Sequence, residues 1–355
     1  MTHDDHATGL PHRHEGSRDE RSRDDGDSVR ALALVEPGRV EVVERPDPEP
    51  ARSEVLVRMT GVGICGSDLS VFDGHREVPG APWVLGHEGV GKIVEVGGEV
   101  TGRHVGQRVV IEPNYCCFTC ASCRAGFTSG CENRKIVGIN VPGVLAEYVA
   151  VPAPFAWLAP EGLATEELVC LEPYTVGAAA SSRAEARPGQ RALVVGTGST
   201  GLLLVVHLVE RGLETWFVEP AVDRAELAVE LGARPLGEDA DLRFEQVFET
   251  SGTVPGTELA VASAAPGGAV TLLGLATDPA KIVPAMIVRG RLTVRGSMIY
   301  EHPGDFAATT AAPPRGLGRV VRCRFTLEEG QEAFLSARTV AGKSWISLGE
   351  EGAPT

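Results

Sequence analysis

Lysine is scarce in this 355-residue chain, occurring only at positions 92, 135, 281 and 343, and the formal net charge is −15. With no basic stripe to replace phosphate counterions, no nucleic-acid partner is expected. Long apolar runs are also missing: none approaches the roughly 18 residues of a bilayer span, so no membrane partner is expected. The amino terminus is polar and charged rather than basic and then apolar, which speaks against a cleavable signal and for a cytoplasmic protein. Eight cysteines in so long a chain do not make a disulfide scaffold. Residues 1–28 hold eight acids, four arginines and four histidines (His3, His6, His12, His14) with almost nothing apolar. That composition predicts a disordered tail whose histidines are solvated rather than metal-bound.

The thiols that are present cluster. Cys117, Cys120, Cys123 and Cys131 are separated by gaps of two, two and seven residues in a stretch of small and polar side chains. Such spacing lets one loop wrap a zinc ion with four thiolates, leaving no open position for chemistry, so the site is expected to be structural. Cys116 adjoins the first ligand and competes for its place, but would leave three residues before Cys120 instead of two. Cys117 is therefore preferred.

From Val29 onward, short β-branched runs alternate with Gly and Pro: 31–35, 40–43, 55–59, 89–96 and 108–111. This predicts an irregular, partly closed barrel. Two of its loops carry Gly63-Ile-Cys65-Gly-Ser67-Asp68 and Leu85-Gly86-His87-Glu88, the makings of a second zinc site with mixed ligands. Beyond Cys170-Leu-Glu172-Pro173-Tyr174 the pattern changes. Arg191-Ala-Leu-Val-Val-Gly196-Thr-Gly198-Ser-Thr-Gly201 reads as a buried strand entering a glycine-rich turn, with a helix over 202–209. Gly196 suits the tight turn, Gly198 a close approach to a pyrophosphate, and Gly201 close packing of helix on strand. A second strand over 215–218 ends at Glu219, whose carboxylate suits ribose hydroxyls and repels a 2′-phosphate, favouring NAD over NADP. Arg224 either contacts the ribose or caps a surface helix. Further strands over 246–249, 269–273 and 292–294, with a helix over 257–264, predict a doubly wound parallel sheet. His207 falls inside the first helix's apolar run and is expected to be a packed core residue. A helix over 327–334 and a strand over 344–348 are expected to return to the first domain, before a frayed end at 349–355.

In this order the segments resemble the zinc-dependent medium-chain alcohol and polyol dehydrogenases, in their sorbitol, butanediol and threonine branch, from about Val29 to Leu348. The resemblance implies an α/β protein: a GroES-like β-barrel catalytic domain (29–175 and 296–348) interrupted by a Rossmann NAD-binding domain (176–295). It implies two zinc ions per chain, a structural one at Cys117, Cys120, Cys123 and Cys131, and a catalytic one at Cys65 and His87 with a carboxylate from Glu88 or Glu172. Glu172 falls where alcohol dehydrogenases proper have a third cysteine, which tilts the expectation towards polyols and other secondary alcohols. Ser67 matches the hydroxyl that relays the alcohol proton, and Asp68 a carboxylate that orients the imidazole ligand. Ser70 replaces the relay histidine of many relatives. The implied reaction is NAD-linked oxidation of a polyol, diol or cyclitol to a ketone, with aminocyclitol oxidation in antibiotic biosynthesis as one setting. NADPH-dependent ketone reduction, or a silent scaffold keeping only the structural zinc, are the other readings. Family members pair as homodimers or homotetramers, and segments 269–275 and 282–288 are either interface or core here.

Overall fold

The computed structural model describes residues 28–237 and 242–349. The tail expected over 1–28 and the end over 349–355 lie almost wholly outside these. A seven-stranded sheet organises the amino-terminal half, with Glu54–Gly63 at its centre and antiparallel to Glu88–Val96, Tyr148–Pro152 and Lys343–Ser347. The last of these lies parallel to Val321–Thr326, so the end of the chain completes a sheet begun three hundred residues earlier. A smaller sheet of Arg39–Pro46, Ser28–Glu36 and Trp83–Val84 closes the other side. Between them lies a core that includes Leu32, Val55, Val57, Met59, Val62 and Ile346.

The second sheet has six strands, all parallel. Their spatial order is Arg234–Pro235, Glu214–Val218, Arg191–Val195, Phe244–Glu249, Ala264–Leu272 and Thr293–Gly296. This doubly wound order reverses between Arg191–Val195 and Phe244–Glu249, where a crevice opens at the carboxyl ends of the strands. Helix Ser199–Glu210 follows the glycine-rich turn and is apolar nearly all round, because it is buried on both sides. One face meets the sheet; the other meets helix Leu171–Arg183, whose start is favoured by Pro173 in the first turn, where its missing N–H costs nothing. A shared cluster joins Val90, Val110 and Trp345 of the barrel to Leu171, Leu202 and Leu204 of these helices.

Some boundaries differ from expectation. The helix expected over 257–264 runs Val254–Ser263, because Thr253 caps it by accepting the Gly256 N–H at 3.1 Å. The helix expected over 327–334 starts later, as Gly330–Ser336, because residues 327–330 form a separate turn closed by the Gly330 N–H on the Leu327 carbonyl at 3.2 Å. The final strand begins at Lys343 rather than Ser344: a buried lysine is tolerated there because it has an anionic partner.

Candidate metal centres and dinucleotide crevice

The four expected lobe thiols converge. The Sγ atoms of Cys117, Cys120, Cys123 and Cys131 all lie within 4.8 Å of one another. Local hydrogen bonds aim donors at them: Cys117 N–H to Cys131 Sγ at 3.3 Å, Cys120 N–H to Cys117 Sγ at 3.4 Å, and Thr119 Oγ1–H to Cys117 Sγ at 3.5 Å. The Thr119 hydroxyl and neighbouring N–H groups hold the Cys117 thiol down to about 5, so it is poised as the thiolate a metal needs. Four soft donors in a closed group fit a structural zinc. The lobe is then fastened to the rest of the protein by Glu301, which accepts from Thr128 Oγ1 and from Ser129 N and Oγ, and pairs with Arg183 at 3.0 Å. Arg183 ends the helix that carries Glu172.

The mixed site is assembled from distant segments. Cys65 precedes helix Gly66–Phe72, and Asp68 in that helix accepts the Cys65 N–H at 3.0 Å and the Gly86 N–H at 3.3 Å. The same carboxylate meets His87 Nδ1 at 3.0 Å. A carboxylate only accepts, so Nδ1 carries the proton and Nε2 is left for a metal. Burial disfavours an imidazolium, but Asp68 and then Cys65 outweigh it, holding metal-free His87 well above its ordinary value. Ser67 Oγ stands 3.4 Å from Nε2.

The two candidate carboxylates are placed differently. Glu88 lies in one group with Cys65 and His87, its oxygen within 4.8 Å of their ligand atoms. Both its oxygens also sit 2.7 Å from Lys343 Nζ, which is fully buried and donates to Ile64 O as well. Glu172 is outside that close group. Its Oε1 accepts from the Tyr300 hydroxyl at 2.9 Å, which in turn accepts from Asn114 Nδ2 at 3.2 Å. Burial pushes Glu172 up to about 7, against the pull of nearby His87. A thiolate, an imidazole and a carboxylate suit zinc.

Lys343, Tyr300 and Asn114 escaped the sequence reading. Lys343 did leave a signal, as one of only four lysines and the single charge in Lys343-Ser-Trp-Ile-Ser. Phe72 and Tyr174, both close in sequence to expected ligands, are core side chains: the Phe72 ring lies 5.3 Å from Phe334 at a tilt of 35°, and the Tyr174 hydroxyl meets His207 Nδ1 at 2.8 Å. His207 is packed as expected, and burial lowers it to about 4.

At the crevice, Gly196 adopts φ +92°, which only glycine takes without strain. Gly198 caps the helix that begins at Ser199, so the helix amino terminus faces the crevice. Glu219 Oε2 accepts the Thr197 N–H at 2.8 Å, and Oε1 the Ala221 N–H at 3.0 Å. The carboxylate thus abuts the phosphate-binding turn. The Arg224 guanidinium donates to the Arg338 carbonyl at 2.6 Å, which ties its helix to the segment after Gly330–Ser336.

A family model described as the alcohol dehydrogenase GroES-like domain matches residues 51–161. The chain is 34% identical over 263 residues to L-threonine 3-dehydrogenase of Pyrococcus horikoshii, covering 69% of this chain and 75% of that protein. It is 31% identical over 268 residues to sorbitol dehydrogenase of Bacillus subtilis, covering 70% and 75%. The crystal structure of galactitol-1-phosphate dehydrogenase from Escherichia coli is similar, with a TM-score of 0.83 and 28% identity over 90% of this chain and 99% of that one.

Proposed function

The chain belongs to the zinc-type medium-chain alcohol dehydrogenase family, oxidoreductases acting on CH–OH groups, and on that footing we propose that it oxidises a secondary alcohol to a ketone with NAD. Polyols, diols and cyclitols, aminocyclitols of antibiotic biosynthesis among them, are the substrate class. The observation that carries this is the convergence of half-buried Cys65 with buried His87 and Glu88, with His87 Nδ1 held by Asp68 and Nε2 left free for a metal. We assign Cys65, His87 and Glu88 as the protein's donors to a catalytic zinc. Lys343 leaves carboxylate lone pairs of Glu88 available, and fixes them in place. Cys65, His87 and Glu88 would hold a zinc that would supply a lowered pKa to a substrate hydroxyl, and the crevice beside the glycine-rich turn would hold a nicotinamide as the hydride acceptor.

The chain's own side chains supply the rest. Ser67, beside His87, takes the alcohol proton outward, and with Ser70 rather than histidine further on, the exit passes through hydroxyls and water. Glu172 spends one oxygen on Tyr300 and offers the other to a neighbouring hydroxyl, which favours diols over simple alcohols. Glu219 places negative charge where a 2′-phosphate would sit, supporting NAD. Strand pairing supports a catalytic domain of 29–175 and 296–348 around a dinucleotide domain of 176–295. Leu275, Val283, Met286, Val288, Val294 and Met298 are exposed beside the edge strand Thr293–Gly296, supporting a homodimer or homotetramer. No helix among the described residues is long and apolar enough to cross a membrane.

The test is NADH formation against a panel of diols, linear polyols, cyclitols, aminocyclitols and simple secondary alcohols, repeated after chelation and after zinc is restored. Expected are two zincs per chain and a zinc-restorable signal with secondary alcohols. Oxidation indifferent to chelation would falsify the assignment.

A further inference from the structure

Glu249 ends the strand next to Arg191–Val195, at the point where the crevice opens. Its side chain is fully buried, an expensive place for a carboxylate unless donors surround it. Oε1 accepts the Ser251 N–H at 2.8 Å, the Gly252 N–H at 3.0 Å and the Ser251 hydroxyl. Oε2 has no hydrogen-bond partner among the described residues, and a Cβ on Gly274 would stand 2.5 Å from it. The backbone oxygen of Glu249 accepts the Leu273 and Gly274 N–H groups at 2.8 and 3.0 Å. One residue therefore gathers the loop after its own strand and the end of the next.

That loop presses on the glycine-rich turn. Thr250 Oγ1 donates to Gly196 O at 2.6 Å, and the Thr250 N–H to Val195 O at 2.9 Å. The fit leaves no slack: a Cβ on Gly196 would lie 2.7 Å from Ser251 Cβ, and one on Gly201 2.8 Å from Thr250 Oγ1. Glu219 grips the turn from the other side through Thr197. The turn is thus held between two carboxylates from flanking strands, one directly and one through Thr250 and Ser251.

We propose that Glu249 and Thr250 are positioning residues for the dinucleotide, fixing the turn that cradles its pyrophosphate although neither need touch it. This rests on the nicotinamide-linked reading above. Fluorescence titration of the zinc-loaded full chain with NADH tests it. E249A is expected to raise the NADH Kd about tenfold and T250V about threefold, the span of one to two lost hydrogen bonds, with turnover at saturating cofactor little changed. E249Q keeps an oxygen for the Ser251 and Gly252 N–H groups, and is expected to restore affinity to within about threefold. A loop cap with no role in cofactor binding would instead lower Tm and leave the Kd of the folded variant at the wild-type value; that result overturns the proposal. If E249A does not fold, T250V carries the same test, and unchanged affinity there is equally fatal. Wild-type protein that binds neither NADH nor NADPH would overturn the nicotinamide reading itself, and the proposal with it.

Discussion

The thiol lobe and the mixed site are both close clusters of metal-type donors, the first mostly half-buried and the second mostly buried, yet they are built on opposite plans. The lobe draws every donor from residues 117 to 131, and its supporting hydrogen bonds come mostly from the same loop. The mixed site takes Cys65 and His87 from two loops, Glu88 from the start of strand Glu88–Val96, Glu172 from a helix, and the Lys343 that holds Glu88 from the last strand. A local cluster has little else to hold its loop in shape, so its metal is part of the fold. A dispersed cluster is positioned by packed strands and helices that exist without metal, so there the metal is free to serve chemistry.

The comparison breaks most visibly if the wrong centre proves essential for folding. C120S should lose one zinc and destabilise the protein by roughly 4–5 kcal/mol or more, read as a fall in Tm on the order of 10 °C. C65S should also lose one zinc, but with Tm within about 3 °C of wild type and turnover down by about three orders of magnitude. Equal Tm losses in the two variants would erase the distinction.

A slightly smaller effect is expected at Lys343. In zinc-free protein, K343M leaves the buried Glu88 carboxylate without its counter-charge, and breaking such a pair costs about 3–5 kcal/mol. Urea unfolding should show a lower midpoint at an unchanged slope. An unaltered midpoint would mean that the Lys343–Glu88 pair adds nothing net to stability.

Tyr174 and His207 are a buried pair from distant segments with no metal role, and they show what dispersed packing alone does to a titratable group. Burial sets His207 near 4 in the folded protein against 6.5 unfolded, so the folded state binds fewer protons between those values. The stability involved is complete above pH 6.5 and is lost as pH falls towards 4, by roughly 3 kcal/mol. H207Q, which can still accept from Tyr174, should flatten that part of the stability profile; a slope identical to wild type would show that another group sets it.

These two plans also explain what could be read from the chain beforehand. Spacing alone identifies Cys117, Cys120, Cys123 and Cys131, because the contacts that matter are between near neighbours. The glycine turn is legible for the same reason: Gly196, Gly198 and Gly201 act within one turn and the helix it begins. Cys65 and His87 are visible as residue types, but their convergence is not, since it depends on how strands 54–63 and 88–96 pair. Lys343, Tyr300 and Asn114 become functional neighbours only through tertiary contacts spanning up to 279 residues. Arg224 is open to two readings in the sequence, ribose contact or helix cap, and the bond it makes to the Arg338 carbonyl comes from a segment that spacing does not reveal.

The smallest expected effect separates the centres most finely. Tyr300 joins the dispersed site through its hydroxyl, which donates to Glu172 and accepts from Asn114, so Y300F removes both hydrogen bonds while the ring keeps its edge contact with Phe306. The stability change should be about 1–2 kcal/mol, and zinc content should stay at two per chain. Tyr300 stabilises the ionised form of Glu172, so its loss should raise that carboxyl further above about 7. Any limb of the pH–rate profile that follows Glu172 ionisation should then move to higher pH, by less than about one unit. C120S, studied at a temperature where it remains folded, should leave that limb in place, because no hydrogen bond among the described residues joins a lobe thiol to Glu172. The lobe is linked to it indirectly, through Glu301, which adjoins Tyr300 and pairs with Arg183 at the far end of the helix. A limb that shifts in C120S and not in Y300F would reverse the two roles, making the lobe part of the chemistry and Tyr300 mere packing.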